Sequence, residues 1–158
     1  VEKSNKSTAQ RPQGDRQLDG KLVTIDLPFF IKQIRSEKAW KKSDRNSITV
    51  FKSSGISIVL MALHKGAEMT DHTTEGLVNV QILKGEIKFK TNDQTVKLQK
   101  GHLLKLSAGV SHSLQAKKMT IFLLTIITTA GDSQSNHISN SAVEQEKLNG
   151  IPVISELV

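Results

Sequence analysis

An all-β fold, an antiparallel sandwich or barrel, is predicted by three features of the sequence. Eight short segments rich in Val, Ile, Thr and Phe follow one another between residues 47 and 128. They recur at intervals of about ten residues, and short breaks holding turn residues separate most of them. No helical pattern intervenes among them, so parallel strands with crossover helices are not indicated. The segments are SITVFK (47–52), ISIVLMALH (56–64), LVNVQIL (77–83), EIKFK (86–90), QTVKL (94–98), HLLKLS (102–107), SHSLQA (111–116) and MTIFLLTIIT (119–128). Thr91-Asn92-Asp93-Gln94 suits a hairpin turn, and Gly85 and Gly101 stand where a turn needs positive φ.

One helix is expected ahead of the strands, over Asp26 to Lys42. Asp26 can cap it, Pro28 fits its first turn, and Leu27, Phe30, Ile31 and Ile34 recur at helical spacing. Lysines fill the last turn, where the helix dipole favours them. Residues 1–20 hold only Val1, Ala9 and Leu18 as aliphatic side chains among polar and charged ones. Such a segment cannot offset the entropy of ordering its backbone and is expected to be a flexible arm. The chain thus divides into an arm (1–20), a helical segment (21–46), the β domain (47–130) and a polar, acidic tail (131–158).

The 158 residues carry 22 Lys and Arg against 15 Asp and Glu, a net charge of +7. Residues 1–54 hold 12 cations against 6 acids (+6), 55–130 hold 9 against 5 (+4), and 131–158 hold 1 against 4 (−3). The basic excess therefore sits in the N-terminal third, without the interleaved aromatics of a single-strand stacking platform in residues 1–20. There is no cysteine, which removes disulfides, thiolate metal sites and cysteine nucleophiles. The densest apolar run, Met119 to Ile127, is broken by Thr120 and Thr125 and is about half of the roughly 20 residues a membrane-spanning helix needs. A soluble, cytoplasmic protein without membrane association is expected.

Two stretches resemble the signature motifs of the cupin superfamily. In GAEMTDHTTEGLVNVQILKG, Gly66, His72 and Gly85 match the first motif, while Thr74 stands for its second histidine and Val78 for its glutamate. In GHLLKLSAGVSHSLQA, Gly101, Gly109 and His112 match the second, while Ser107 and Ala116 replace its proline and asparagine. HTTEG (72–76), VQILKG (80–85), AGVSH (108–112) and LLTI (123–126) are similar to a group of small bacterial cupin-2-like proteins, and 43–51 and LHKGAEM (63–69) extend the likeness to about half the chain. The resemblance implies a jelly-roll β-barrel whose mouth often holds a divalent metal. It does not name a chemistry, because one barrel hosts many functions.

Carried over position by position, the resemblance leaves His72 and His112 of four metal ligands. Thr74 is a poor neutral ligand, Val78 is none, and the lost glutamate removes the anionic charge that helps hold a dication. Asn79 follows Val78, but alternation along a strand turns it to the other face. Two imidazoles at a cavity can instead hydrogen-bond a small molecule or move a proton near neutral pH. The hydroxyls of Thr73, Thr74, Ser111 and Ser113 are close in sequence, yet no nucleophile, base and orienting group can be assembled from them. His64 and His102 fall at strand ends and His137 in the polar tail, where structural roles suffice. Trp40, Phe29 and Phe30 are expected to cover an end of the barrel rather than form a ligand cage. Strand 121–127 shows little alternation, so both faces should be covered, one by the barrel and one by the N-terminal helix or the second subunit of a homodimer.

The expected function is a cupin-type protein with an incomplete metal site that binds or senses a small molecule through His72, Thr74 and His112, without a cofactor. One alternative is a metal-dependent oxygenase or isomerase holding Fe, Mn, Ni or Zn on His72 and His112. Another is a structural or regulatory module whose basic N-terminal region meets an acidic partner, nucleic acid being disfavoured.

Overall fold

The computed structural model describes residues 19–128 together with the short pairs Ser4–Asn5 (β1) and Arg16–Gln17 (β2), which run antiparallel to each other. The tail over 131–158, with His137, and most of the N-terminal arm lie outside the described residues.

Helix formation begins as the sequence predicts. Helix α1 spans Leu27–Ser36, Pro28 lies in its first turn, and Asp26 accepts the Phe29 N–H through Oδ1 at 3.0 Å. The expected single helix to Lys42 is, however, two. Glu37 adopts an extended conformation (φ −69°, ψ 154°), and a short second helix, α2, follows over Lys38–Lys42. The cause lies outside the helix. Asn46, buried in the first strand of the domain, donates through Nδ2 to the Ile34 carbonyl (2.9 Å) and to the Glu37 carboxylate (2.8 Å). It thereby satisfies a carbonyl that an ending helix leaves without a partner.

Nine strands follow: β3 (Arg45–Lys52), β4 (Ile56–Leu63), β5 (Glu68–His72), β6 (Leu77–Lys84), β7 (Glu86–Thr91), β8 (Thr95–Gln99), β9 (Leu103–Leu106), β10 (His112–Ala116) and β11 (Thr120–Ile127). Eight correspond to the predicted segments. The ninth, β5, is the polar run EMTDH, which carries no strand periodicity and lies at a sheet edge. All pairings are antiparallel, in a five-stranded sheet of order β3-β4-β11-β6-β9 and a four-stranded sheet of order β5-β10-β7-β8. The predicted hairpin joins β7 to β8, with Thr91 N–H donating to the Gln94 carbonyl at 2.8 Å.

The chain crosses from one sheet to the other at Gly85, between β6 and β7. Its φ of +86° and its contact with the Met119 carbonyl leave no room for a Cβ. The two sheets face each other in the expected jelly roll, and no continuous hydrogen-bonded ladder joins them among the described residues.

Two hydrophobic clusters explain the layers. Inward residues of both sheets, among them Val78, Val80, Phe89, Leu114, Phe122 and Leu124, form the cluster between the sheets. Ile34, Ile48, Val50, Leu60, Ala62 and Ile121 form a second, with Phe30, Ile31 and Trp40 packed against it. This cluster seals the outer face of the five-stranded sheet under the helices. β11 lies at the centre of that sheet and serves both: Phe122, Leu124 and Ile126 point inward, Ile121 and Leu123 toward the helices. That explains its lack of alternation. Trp40 and Phe30 belong to this outer layer rather than to a barrel end, and Phe29 stays mostly exposed. No helix among the described residues is long and apolar enough to cross a membrane.

Candidate functional site

Antiparallel pairing brings the two motif histidines together. His72 ends β5, His112 opens β10, and they are direct partners across the ladder, with ring centroids 4.2 Å apart. Thirty-nine intervening residues thus fold to place one imidazole against the other. Phe89 of β7 stacks on His112 from within the sandwich, at 5.3 Å and an interplanar angle of 14°. His112 is only 4% exposed.

Each ring is held by its own backbone in the same manner. His72 Nδ1 lies 2.8 Å from the Thr70 carbonyl and His112 Nδ1 lies 2.8 Å from the Val110 carbonyl. A carbonyl only accepts, so both Nδ1 atoms are the donors and carry the proton. In the neutral rings Nε2 is then an acceptor. Nε2 of His72 is buried and has no hydrogen-bond partner among the described residues. Burial pushes the His112 imidazole below its ordinary pKa, as does the neighbouring His72, while the Val110 bond and the carboxylate of Asp71 act in the opposite sense. The net effect favours the neutral form of the His112 ring.

The third predicted site residue, Thr74, is buried but tied to the loops. Its hydroxyl donates weakly to the Gly76 carbonyl at 3.4 Å, and its own carbonyl accepts the Gly109 N–H at 2.8 Å. It staples the first motif to the second beside the imidazoles. Val78 is in the core between the sheets, and Asn79 turns to the other face, as alternation requires.

A dication held as the cupin resemblance implies would need a third protein ligand, and the donor set does not supply one. Thr74 is engaged with backbone, Val78 is apolar, and no group of three His, Asp or Glu side chains converges among the described residues. The residues do not fit a three-ligand metal centre. Nor do they form a hydrolytic relay, because the atom of His112 that a carboxylate would orient is bonded to a backbone carbonyl.

The two other histidines among the described residues, His64 and His102, make structural contacts, one in a way the sequence did not reveal. His64 stacks on Trp40 with centroids 3.6 Å apart and donates through Nε2 to the Trp40 carbonyl at 2.9 Å, fastening α2 to the end of β4. His102 lies exposed in the turn before β9, where its Nδ1 accepts from Gln99 N–H. A shallow groove of about 370 Å³, lined by Pro28, Ile31, Lys32, Arg35, Ser36 and Trp40, belongs to the helical layer. The five-stranded sheet separates it from the imidazoles.

With the fold and the site in place, comparison with solved structures is decisive for architecture. A conserved protein of unknown function from Streptococcus pyogenes superposes with a TM-score of 0.53 and 24% identity, over 57% of this chain and 79% of its own. A cupin superfamily protein from Desulfitobacterium hafniense gives 0.52 and 21%, over 54% and 78%. A cupin-2 domain containing protein from Shewanella frigidimarina gives 0.55 and 14%, over 66% and 95%.

This chain has the cupin fold.

No family model and no curated protein matches the sequence. The cupin likeness thus carries the architecture, and what the site does follows from its own atoms.

Proposed function

We propose that this cupin-fold protein binds a small molecule at the mouth of the sandwich, with His72 and His112 at the ligand and Thr74 holding the adjoining loops. The observation that carries the reading is the buried, partnerless Nε2 of His72 beside an almost fully buried neutral imidazole. Leaving such an atom without a partner costs on the order of 1–3 kcal/mol, which a ligand donor would recover. Binding rather than catalysis is favoured because each ring's second nitrogen is fixed to backbone, with no carboxylate to drive a proton relay. The reading needs no metal and takes the protein as cytoplasmic.

A thermal-shift screen of uncharged, cationic and anionic metabolites on the untagged chain tests it. At least one compound raises the melting temperature of the wild type and fails to do so for His72→Ala and His112→Ala. A compound set that stabilises both variants as well as the wild type places the ligand elsewhere and removes the reading.

A further inference from the structure

The shallow groove of the helical layer has a chemistry that the imidazole site does not use. Ile31 and Trp40 are its half-buried apolar members, while Lys32 and Arg35 of α1 stand exposed along it. Residues three apart on a helix share a face, with about 5–6 Å between their Cβ atoms, so the two cations act together. Neither has a carboxylate partner among the described residues. The acids nearest in sequence are engaged elsewhere: Asp26 caps α1, and Glu37 accepts from Gln33 at 3.1 Å and from Asn46 at 2.8 Å. The lysines of the four-stranded sheet make a surface of another kind. Lys88 and Lys97 pair with each other, and Thr95, Ser113 and Gln115 complete the cross-strand partners of Lys88 and Lys90, all of them polar.

Unpaired cations beside an aromatic and an aliphatic side chain suit a segment that joins acids to apolar residues, and the chain holds one. Residues 131–158 carry 1 cation against 4 acids (−3), whereas residues 1–130 carry 21 against 11 (+10). Glu144 and Glu146 precede Leu148, Ile151, Val153 and Ile154. β11 is followed by Thr128, whose N–H donates to the Gly55 carbonyl at 2.9 Å. The 15 residues between Thr128 and Glu144 reach up to about 50 Å, against a radius of gyration of about 13 Å for a 100-residue domain, so the groove is within range.

We propose that segment 144–154 of the same chain docks in this groove, Glu144 and Glu146 meeting Lys32 and Arg35 while the apolar residues that follow cover Ile31 and Trp40. Acids two positions apart on an extended chain lie on one side about 7 Å from each other, a spacing the two cations match. Exposed ion pairs alone hold weakly, and the apolar cover supplies the remaining attraction. The polar lysine face of the four-stranded sheet offers no such cover.

Trp40 is the chain's one tryptophan, so its fluorescence reads this groove. Quenching by acrylamide, which is uncharged, is measured on the untagged full chain, on Lys32→Glu/Arg35→Glu, on Glu144→Lys/Glu146→Lys and on the fourfold charge swap. The quenching constant rises at least about twofold in each double variant, because losing two ion pairs shifts the docking equilibrium severalfold. It returns to the wild-type value in the swap, where the pairs re-form with signs exchanged, and does not change on dilution. A synthetic peptide of residues 142–158, added to Glu144→Lys/Glu146→Lys, lowers quenching saturably with every groove residue in place. Equal quenching in all four proteins, or a swap that fails to restore the wild-type value, overturns the proposal. A wild-type value that changes with dilution assigns the groove to the segment of a second copy and overturns docking within one chain. None of these outcomes depends on a ligand at His72 and His112.

Discussion

At the scale of the residue, the site is defined by what two histidines cannot do. Their Nδ1 atoms are fixed by backbone carbonyls two residues earlier, and burial favours the neutral ring at His112. A pH dependence follows. The unfolded imidazole titrates near about 6.5, whereas the folded one has a lower pKa. Between the two values the unfolded chain binds a proton that the folded chain refuses, so stability is full above the unfolded value and falls as the pH drops toward the folded one. The slope is at most about 1.4 kcal/mol per pH unit. Asp44, held low by its hydrogen bonds from Arg45, and Glu86, held low by Lys97, act in a separate window. Their contributions are present above the ordinary carboxylate range near about 4 and are lost only below it. Urea unfolding between pH 7.5 and 5 should show a loss for the wild type that His112→Phe does not show. Parallel curves for the two proteins would contradict neutral burial of this ring. The presence of His72 and His112 at one site was legible in the sequence only through motif resemblance. Their tautomers were not, because they depend on the backbone geometry of residues 70 and 110.

At the scale of the element, the strands were legible where alternation meets a half-buried sheet. β7 reads Glu86, Ile87, Lys88, Phe89, Lys90, and its apolar residues are the buried ones. β5 was illegible because an edge strand with Glu68 and Asp71 exposed has little to bury, and charge there discourages pairing with another chain. The break between α1 and α2 escaped for a different reason. Nothing between Asp26 and Lys42 forbids a continuous helix; the side chain that ends α1 is Asn46, on the next strand. Asn46→Ala should therefore cost about 1–3 kcal/mol in urea unfolding, since it leaves the Ile34 carbonyl and the Glu37 carboxylate short of a donor. Asn46→Asp, which keeps the shape but sets a second acidic group beside Glu37, should cost at least as much. A loss below about 0.5 kcal/mol for both would mean that the helix ends for another reason. The Trp40–His64 stack belongs to the same class of contact, joining residues whose proximity no local pattern encodes.

For the whole molecule, the layered arrangement follows from one strand. β11 feeds Phe122 into the core between the sheets and Ile121 into the core beneath the helices, so the sandwich and its helical cover form one folded unit around it. The all-β class, the N-terminal helix and the cover over β11 were readable from composition and periodicity. How the strands divide between two sheets was not, since edge pairings and element ends are the least certain part of any sequence pattern. That architecture delivers His72 and His112 to one end of the inner face, with Val78 and Thr74 where further metal ligands would be needed. A fold held by apolar layers and a site of two imidazoles without a third ligand should need no ion. Elemental analysis of untagged protein, set beside melting temperatures with and without a chelator, addresses this claim. Substoichiometric metal and an unchanged melting temperature are expected; near one iron, manganese, nickel or zinc per chain, lost in both His72→Ala and His112→Ala, would contradict it.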